Sequence, residues 1–260
     1  MPPIEQKQRA HHPAGILVAS PSKSTKANCW SCGDMRAAHF CRQCGKVQPP
    51  APVDYFAFFG LPYKLNLDTA KLQREFYDLS RHLHPDINVV RSPQEQEWSL
   101  EQSSQLNDAY RTLKDPIART EYLLRLQGVR LEEQSTAATE EARRTGKAKK
   151  QVVPPDLLEQ VFELNMQLEE ARMNKKMGEP DRNLELELRD TKKQLQAKYD
   201  GLMEELQRAW NEWDALVDRA ENGGGVLEDD RLAVRDKMLG LLNRRRYLQN
   251  LLGDIEEVLE

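Results

Sequence analysis

The chain is 260 residues long, with 39% hydrophobic and 31% charged residues and 38 Lys and Arg set against 42 Asp and Glu, a net charge of -4. That is the composition expected of a soluble, helix-rich protein with room for two domains. It carries no global basic footprint for nucleic acid, and no stretch approaches the ~20 apolar residues a membrane helix needs. Partners are therefore expected to be proteins, with no nucleic acid and no membrane.

In residues 1–28 Glu5 is the only acid against Lys7, Arg9, Lys23 and Lys26, with Ser20, Ser22, Ser24 and Thr25 alongside. The bias fits a mitochondrial transit peptide and a disordered tail equally well. All four cysteines follow, in Cys29-Trp-Ser-Cys32-Gly33 and Cys41-Arg-Gln-Cys44-Gly45, two Cys-x-x-Cys knuckles eight residues apart. Each ends in Gly, which permits the tight turn that brings backbone amides to the sulfurs. Paired knuckles supply the four thiolates a tetrahedral Zn2+ requires from two short turns, and four protein ligands leave no open position for chemistry. Cys29, Cys32, Cys41 and Cys44 thus predict one structural zinc in a module over 29–48. No further cysteine and no secretory segment favours disulfides instead. Gln48-Pro-Pro-Ala-Pro52 reads as a stiff linker.

At 100° per residue Leu72, Phe76, Leu79 and Leu83 share a narrow arc, the mark of an amphipathic helix. Lys71, Arg74 and Arg81 gather on the other side, with Asp78 among them. Pro85 disfavours helical geometry at His84 and ends the helix there. A second apolar-periodic segment, from about Glu95 to Leu113, carries Trp98, Leu106, Ala109, Tyr110 and Leu113 and is stopped by Lys114-Asp115-Pro116; the pair makes a helical hairpin. A further helix holds Ile117, Tyr122, Leu123, Leu124 and Leu126, and Gly128 breaks it. By itself His84-Pro85-Asp86 reads either as a capped turn or as a docking signal. No nucleophile or partner carboxylate joins His82, His84 and Asp86, so an acid–base or metal site is disfavoured and no enzyme is expected.

Residues 132–151 lack an apolar face and read as a mobile insertion between domains, with the basic run Arg143 to Lys150 solvated. Pro154-Pro155-Asp156 then signals a helix start. The helix beyond it has two apolar stripes: Leu157, Val161, Leu164 and Leu168 on one line, and Leu158, Phe162 and Met166, ending in Glu169 and Glu170, on another about 100° away. One stripe suffices to pack a helix, and periodicity leaves the second open between core and partner surface. After Gly178-Glu-Pro180 comes a very long helix, 181 to about 221, in which Leu188, Leu195, Leu202, Ala209 and Leu216 recur every seven residues, with Tyr199, Leu206 and Trp213 four residues on. Asn222-Gly-Gly-Gly225 reverses the chain into a last helix, about 227–259, carrying Leu232, Met238, Leu239, Leu242, Leu248, Leu251, Leu252 and Ile255. Residues 154–260 are thereby predicted to form an antiparallel three-helix bundle.

Asp54-Tyr55-Phe56, Phe59-Gly60-Leu61-Pro62, His84-Pro85-Asp86, Asn107-Asp108-Ala109-Tyr110 and Leu113-Lys114-Asp115-Pro116 follow one another as they do in J domains, the cochaperones of DnaK-type heat-shock ATPases. The resemblance covers 53–126 and implies that His84, Pro85 and Asp86, with the basic helix bearing Lys71, Arg74 and Arg81, engage the ATPase and stimulate hydrolysis. Joined to the knuckle and the bundle, it narrows to the HscB (Jac-type) cochaperones of iron–sulfur cluster assembly in their zinc-bearing, eukaryotic form. Phe59-Gly-Leu-Pro62, Tyr122-Leu-Leu124, and Glu163-Leu-Asn165 with Leu168-Glu-Glu-Ala171 are the most discriminating pieces. The fold class implied is all-α: a J-domain hairpin and a three-helix bundle behind a small zinc-knuckle module.

In that family the client is the cluster scaffold IscU or Isu, held on the bundle by an apolar patch edged with acids. Carried over by position, the patch is Leu158, Phe162, Glu163, Met166 and Glu170 with Tyr247 from the last helix; a one-residue shift would bring in Leu157 and Val161. Met166 stands where relatives often have a charge, and Glu159 where they usually have an apolar residue. The resemblance implies the mitochondrial matrix, with the cytosol as the other compartment, and leaves a homodimer open. A reading of another class is a zinc-ribbon and coiled-coil adaptor that binds nucleic acid or a different protein.

Overall fold

Asp54, Asp68, Ser92 and Asp115 each end an extended segment and turn a side-chain oxygen onto the backbone amide three residues ahead. This is how the chain starts its first four helices, because the opening amides of a helix have no partner within it. In the computed structural model, which describes residues 28–35, 38–88, 91–129, 158–179 and 181–260, these are α1 (Tyr55–Phe58), α2 (Thr69–Leu83), α3 (Pro93–Lys114) and α4 (Pro116–Leu126). Asp115 does double duty, ending α3 in extended backbone before Pro116 and capping α4 through Ala118 N at 2.6 Å. Three more helices follow: α5 (Leu158–Met177), α6 (Arg182–Glu221) and α7 (Glu228–Leu259). Among the described residues there is no strand, only an isolated antiparallel bridge between Phe40 and Val47. No described helix is long and apolar enough to cross a membrane.

The chain divides into two compact units. The first holds the described residues up to 129 together with Asp214–Val226, the last turns of α6 and the turn after it. Leu72, Leu83, Leu106, Ala109, Leu113, Leu123 and Leu124 are buried in it, most of them completely, as the predicted periodicity requires. Phe76 stacks on Tyr110 at 4.1 Å across the hairpin. Asp214, itself buried, accepts from the backbone amides of Leu65 (2.7 Å) and Asn66 (2.9 Å) and from the Asn66 side-chain amide (2.8 Å), so its carboxylate is satisfied by protein donors.

This unit departs from the sequence reading at Gln48. The segment expected to act as a stiff linker is clamped at its start: Gln48 is 4% exposed and Gln102 Nε2 donates to its carbonyl at 2.6 Å. Val47 is fully buried in one cluster with Phe58, Leu83 and Leu106. The cysteine module and the hairpin therefore share a core, and a prolyl run says nothing about the residues on either side of it.

The second unit holds the bundle. Val161, Leu164 and Leu168 of α5, Leu184, Leu188, Leu195 and Leu202 of α6, and Tyr247, Leu248, Leu251 and Ile255 of α7 form one cluster. In this unit the seven-residue repeat of α6 is buried from Leu188 to Ala209, with Leu206 and Trp213 buried beside it. Lys192–Glu256 (2.7 Å) and Arg172–Glu257 (3.7 Å) tie α7 to its neighbours from the rim.

Two expectations are corrected here. Tyr247, carried over as a member of an exposed patch, is 7% exposed and packs inside the bundle core. Burial, with Asp254 nearby, also raises its phenol pKa. Val161, admitted by a one-residue shift, is likewise core, because it lies in line with Leu164 and Leu168. The side chain of Leu158, Leu157, the N-terminal segment 1–27 and the expected insertion 132–151 lie outside the described residues.

Candidate functional site

The two knuckles are built alike. Cys29 N donates to Asp34 O and Gly33 N to Cys29 O; Cys41 N donates to Lys46 O and Gly45 N to Cys41 O, all at 2.8 or 2.9 Å. Each loop closes through a glycine of positive φ, 77° at Gly33 and 71° at Gly45, a conformation that would strain a residue bearing Cβ. The turns bring all four Sγ atoms within 4.8 Å of one another, with Cys29–Cys44 and Cys32–Cys41 at 3.6 Å. A disulfide would need ~2.05 Å, whereas four thiolates about 2.3 Å from a tetrahedral ion would sit ~3.8 Å apart. The cysteines are unpaired by disulfides, and their geometry fits a closed metal site.

The sulfurs also perturb one another's protonation. Burial pushes the Cys29 thiol up, but the amides of Cys32 and Ser31 and the S–H groups of Cys44 and Cys32 outweigh it and bring it down to about 6. At Cys32 the amide of Asp34 lowers the thiol, and desolvation with the three neighbouring sulfurs raises it to about 12. One sulfur ionises at the expense of another, since four thiolates cannot coexist this close without a cation between them.

The module is fastened to α1 and α3 by side chains. His39 contacts Gln102 Oε1 through Nδ1 (2.9 Å) and Phe58 O through Nε2 (2.8 Å), and its burial lowers its pKa against those two acceptors. Gln48 Nε2 donates to Cys29 Sγ (3.5 Å) and Lys46 O (2.8 Å). Lys46 pairs with the buried Glu95 at 2.8 Å, and Arg91 reaches both Glu95 Oε1 and Gly45 O. Trp30 donates its indole N–H to Val47 O and meets Trp98 edge-on. Sequence reasoning missed all of these except Trp98, since polar clamps leave no periodic signature.

At the far end of α2 the helix stops at His84, in extended backbone before Pro85, and a single 3-10 turn over Pro85–Asn88 follows. The Asp86 amide donates to His84 Nδ1 at 3.2 Å, and Asp86 Oδ2 lies 3.7 Å from the same nitrogen. With Nδ1 accepting, the neutral ring carries its proton on Nε2. Asp86 is 89% exposed and His84 half exposed, so the turn faces outward. Ser99 Oγ donates to Leu83 O at 2.7 Å and fixes the residue just before it to α3. Lys71, Arg74 and Arg81 are exposed on the same helix.

On α5 the second stripe is solvent-facing: Phe162 is 70% and Met166 61% exposed, with Glu163 and Glu170 exposed beside them. Met173 and Met177, also exposed, extend it, and the four apolar residues lie within about 60° at 100° per residue. The spacing of the two methionines continues the stripe past Glu169 and Glu170, where its predicted span ends. The structure thus brings the described residues of the prediction together in three places: the four cysteines, the basic helix with its His-Pro-Asp turn, and the α5 stripe of Phe162, Glu163, Met166 and Glu170, without Tyr247.

No protein-family model matches the chain. The iron–sulfur cluster co-chaperone protein HscB homolog of Arabidopsis thaliana is 34% identical over 146 residues, which is 56% of this chain and 52% of the plant protein. The iron–sulfur cluster co-chaperone protein HscB of Homo sapiens is 37% identical over 129 residues, 47% of this chain and 55% of the human one. The crystal structure of human co-chaperone protein HscB superposes with a TM-score of 0.54 at 26% identity, covering 89% of this chain and 98% of that one. Its relatives are HscB co-chaperones. Chaperone HscB from Vibrio cholerae shares the fold, with a TM-score of 0.51 at 24% identity over 79% of this chain and 97% of its own. In sequence the chain spans about half the length of the curated HscB relatives it matches. The all-α HscB-like architecture, with four clustered cysteines near its start, is what the J-domain and bundle motifs predicted.

Proposed function

We propose that the chain is a co-chaperone of iron–sulfur cluster assembly. It stimulates a DnaK-type ATPase through His84, Pro85 and Asp86 with Lys71, Arg74 and Arg81, and delivers a scaffold of the IscU/Isu type on the α5 stripe. The observation that carries this reading is the pairing of an outward-facing His-Pro-Asp turn in one unit with an exposed Phe162–Met166 stripe, edged by Glu163 and Glu170, in the other. An apolar surface this exposed costs about 25 cal/mol per Å² in water and is retained where a partner covers it.

The mechanism is tethering. With the scaffold on the bundle and the J turn on the ATPase, hydrolysis closes the chaperone on a client already at high effective concentration, and no new chemistry is supplied by this chain. The four cysteines would hold Zn2+, which organises the two turns and does no catalysis, consistent with four protein ligands and no open position. The likeness to HscB co-chaperones supports a mitochondrial matrix setting, with the cytosol as the other compartment.

The test is a split of activities. H84Q is expected to abolish ATPase stimulation while leaving scaffold binding intact, and F162A/M166A to weaken scaffold binding at least tenfold, about 1.4 kcal/mol or more, with basal stimulation intact. Loss of both activities in both variants would end this division of labour.

A further inference from the structure

The second cysteine turn lies on the last turns of α2. Phe40, 9% exposed, stacks on His82 with ring centroids 3.9 Å apart and planes 20° from parallel. Its backbone bridges to Val47, whose side chain is buried against Leu83. Held at both ends, the turn carries Arg42 to α2, where Nη2 stands 4.0 Å from Asp78 Oδ2 while the guanidinium side chain stays 82% exposed. Lys71, Arg74, Asp78 and Arg81 fall within about 80° of arc at 100° per residue. Asp78 thus sits inside the basic row, and Arg42 offsets it from a different element.

An exposed ion pair at this distance contributes little to folding, so stability does not account for a guanidinium left open to solvent on this face. Charges at the rim of an interface act chiefly on the encounter rate and on register. We propose that the ATPase-docking face extends onto the metal knuckle, with Arg42 joining Lys71, Arg74 and Arg81 in one composite basic surface that meets an acidic surface of the chaperone. The inference rests on the co-chaperone reading above and adds the knuckle to it: the metal module supplies a docking residue that the helical hairpin alone lacks.

The experiment uses the metal-loaded full chain with a DnaK-type ATPase and reads the concentration of this protein at half-maximal stimulation, at low and at high salt. R42E is expected to raise that concentration about tenfold at low salt, and R42A about threefold, with maximal stimulation unchanged and the difference shrinking at high salt. R42E/D78R, which restores the summed charge of the face, is expected to recover to within about twofold. Metal content, thermal unfolding and scaffold binding are expected to match the parent, as an 82% exposed side chain predicts. R42E and R42A both within about 1.5-fold of the parent, beside an H84Q control that abolishes stimulation, would overturn the inference and leave the co-chaperone reading standing. A loss that salt does not change would assign Arg42 a structural role and overturn it as well. Stimulation that survives H84Q would overturn the reading itself.

Discussion

The two units hold themselves together in different currencies of interaction. The bundle is a repeat of one device: leucines at seven-residue spacing on α6 close on Val161, Leu164 and Leu168 of α5 and on Leu248, Leu251 and Ile255 of α7. The knuckle and hairpin unit has few repeated positions. It couples a four-cysteine cluster to a small core through single polar contacts, His39 with Gln102, Gln48 with Gln102, and Lys46 with Glu95. A repeat spreads stability over many equivalent sites, and removing one costs that site. A clamp concentrates it, and removing one partner also strands the others. The two units should therefore respond to perturbation very differently.

The largest effect is expected from the metal. C41S, or removal of the ion by a chelator, should lower the stability of the knuckle and hairpin unit by several kcal/mol, on the order of 5, since structural zinc contributes ~10–16 kcal/mol in peptides with no other core. Val47 and Leu83 lie in the shared cluster, so amide exchange should rise at Leu83 and His84 while the bundle core keeps its protection. Unchanged exchange in α2 would make the knuckle an independent appendage. In the bundle the matching experiment is L195A, fully buried in the seam, at about 3–4 kcal/mol from the lost contact area and the cavity left behind. That loss should appear in α5 to α7, and a denaturation midpoint unmoved by the change would break the account of the seam.

How much of each unit was legible in the sequence follows from the same contrast. Period-bearing elements were readable: the α6 seam, the Leu72–Leu83 face of α2 and the Val161–Leu168 stripe all carry their burial in their spacing. The clustering of the four cysteines was readable because metal-ligand geometry demands a fixed short spacing, and two glycines mark where the turns close. The attachment of the knuckle was not, because Gln102 and His39 are 63 residues apart and neither residue type announces a buried role. Tyr247 misled for another reason. A position carried over from relatives says which residue aligns, whereas its exposure depends on how the neighbouring turns of α5 and α7 pack.

Q102A tests the clamp directly and ranks next, at about 2–3 kcal/mol. It removes the Nε2 donor to Gln48 O (2.6 Å) and the Oε1 partner of His39, and leaves two polar groups without partners beside a buried backbone. The same truncation at an exposed glutamine of α6, such as Gln194, should cost only a few tenths of a kcal/mol. If the two variants unfolded alike, the polar attachment of the knuckle would contribute nothing beyond the shared cluster around Val47.

The smallest expected effect is a difference in pH dependence at Glu95. Burial alone would raise this carboxyl, but hydrogen bonds from Lys46, Arg91 and Ser92 outweigh it and hold its pKa below the usual carboxylate value. A carboxylate with a depressed folded-state pKa contributes stability that is fully present above its unfolded pKa, near 4.3, and is lost as pH falls through the folded value. E95Q should therefore be about 1 kcal/mol less stable than the parent at pH 7, since the amide keeps the shape and part of the bonding but not the charge. The gap should close as pH falls below about 4. Acid would also release a metal held by the four thiolates, in both proteins alike, so the measurement is the difference between the two stability curves, followed by exchange in α3. A gap that stays constant across that range would mean the Lys46–Glu95 contact holds by shape alone, and the knuckle's grip on α3 would then lie in Trp30, Trp98 and Val47 rather than in charge.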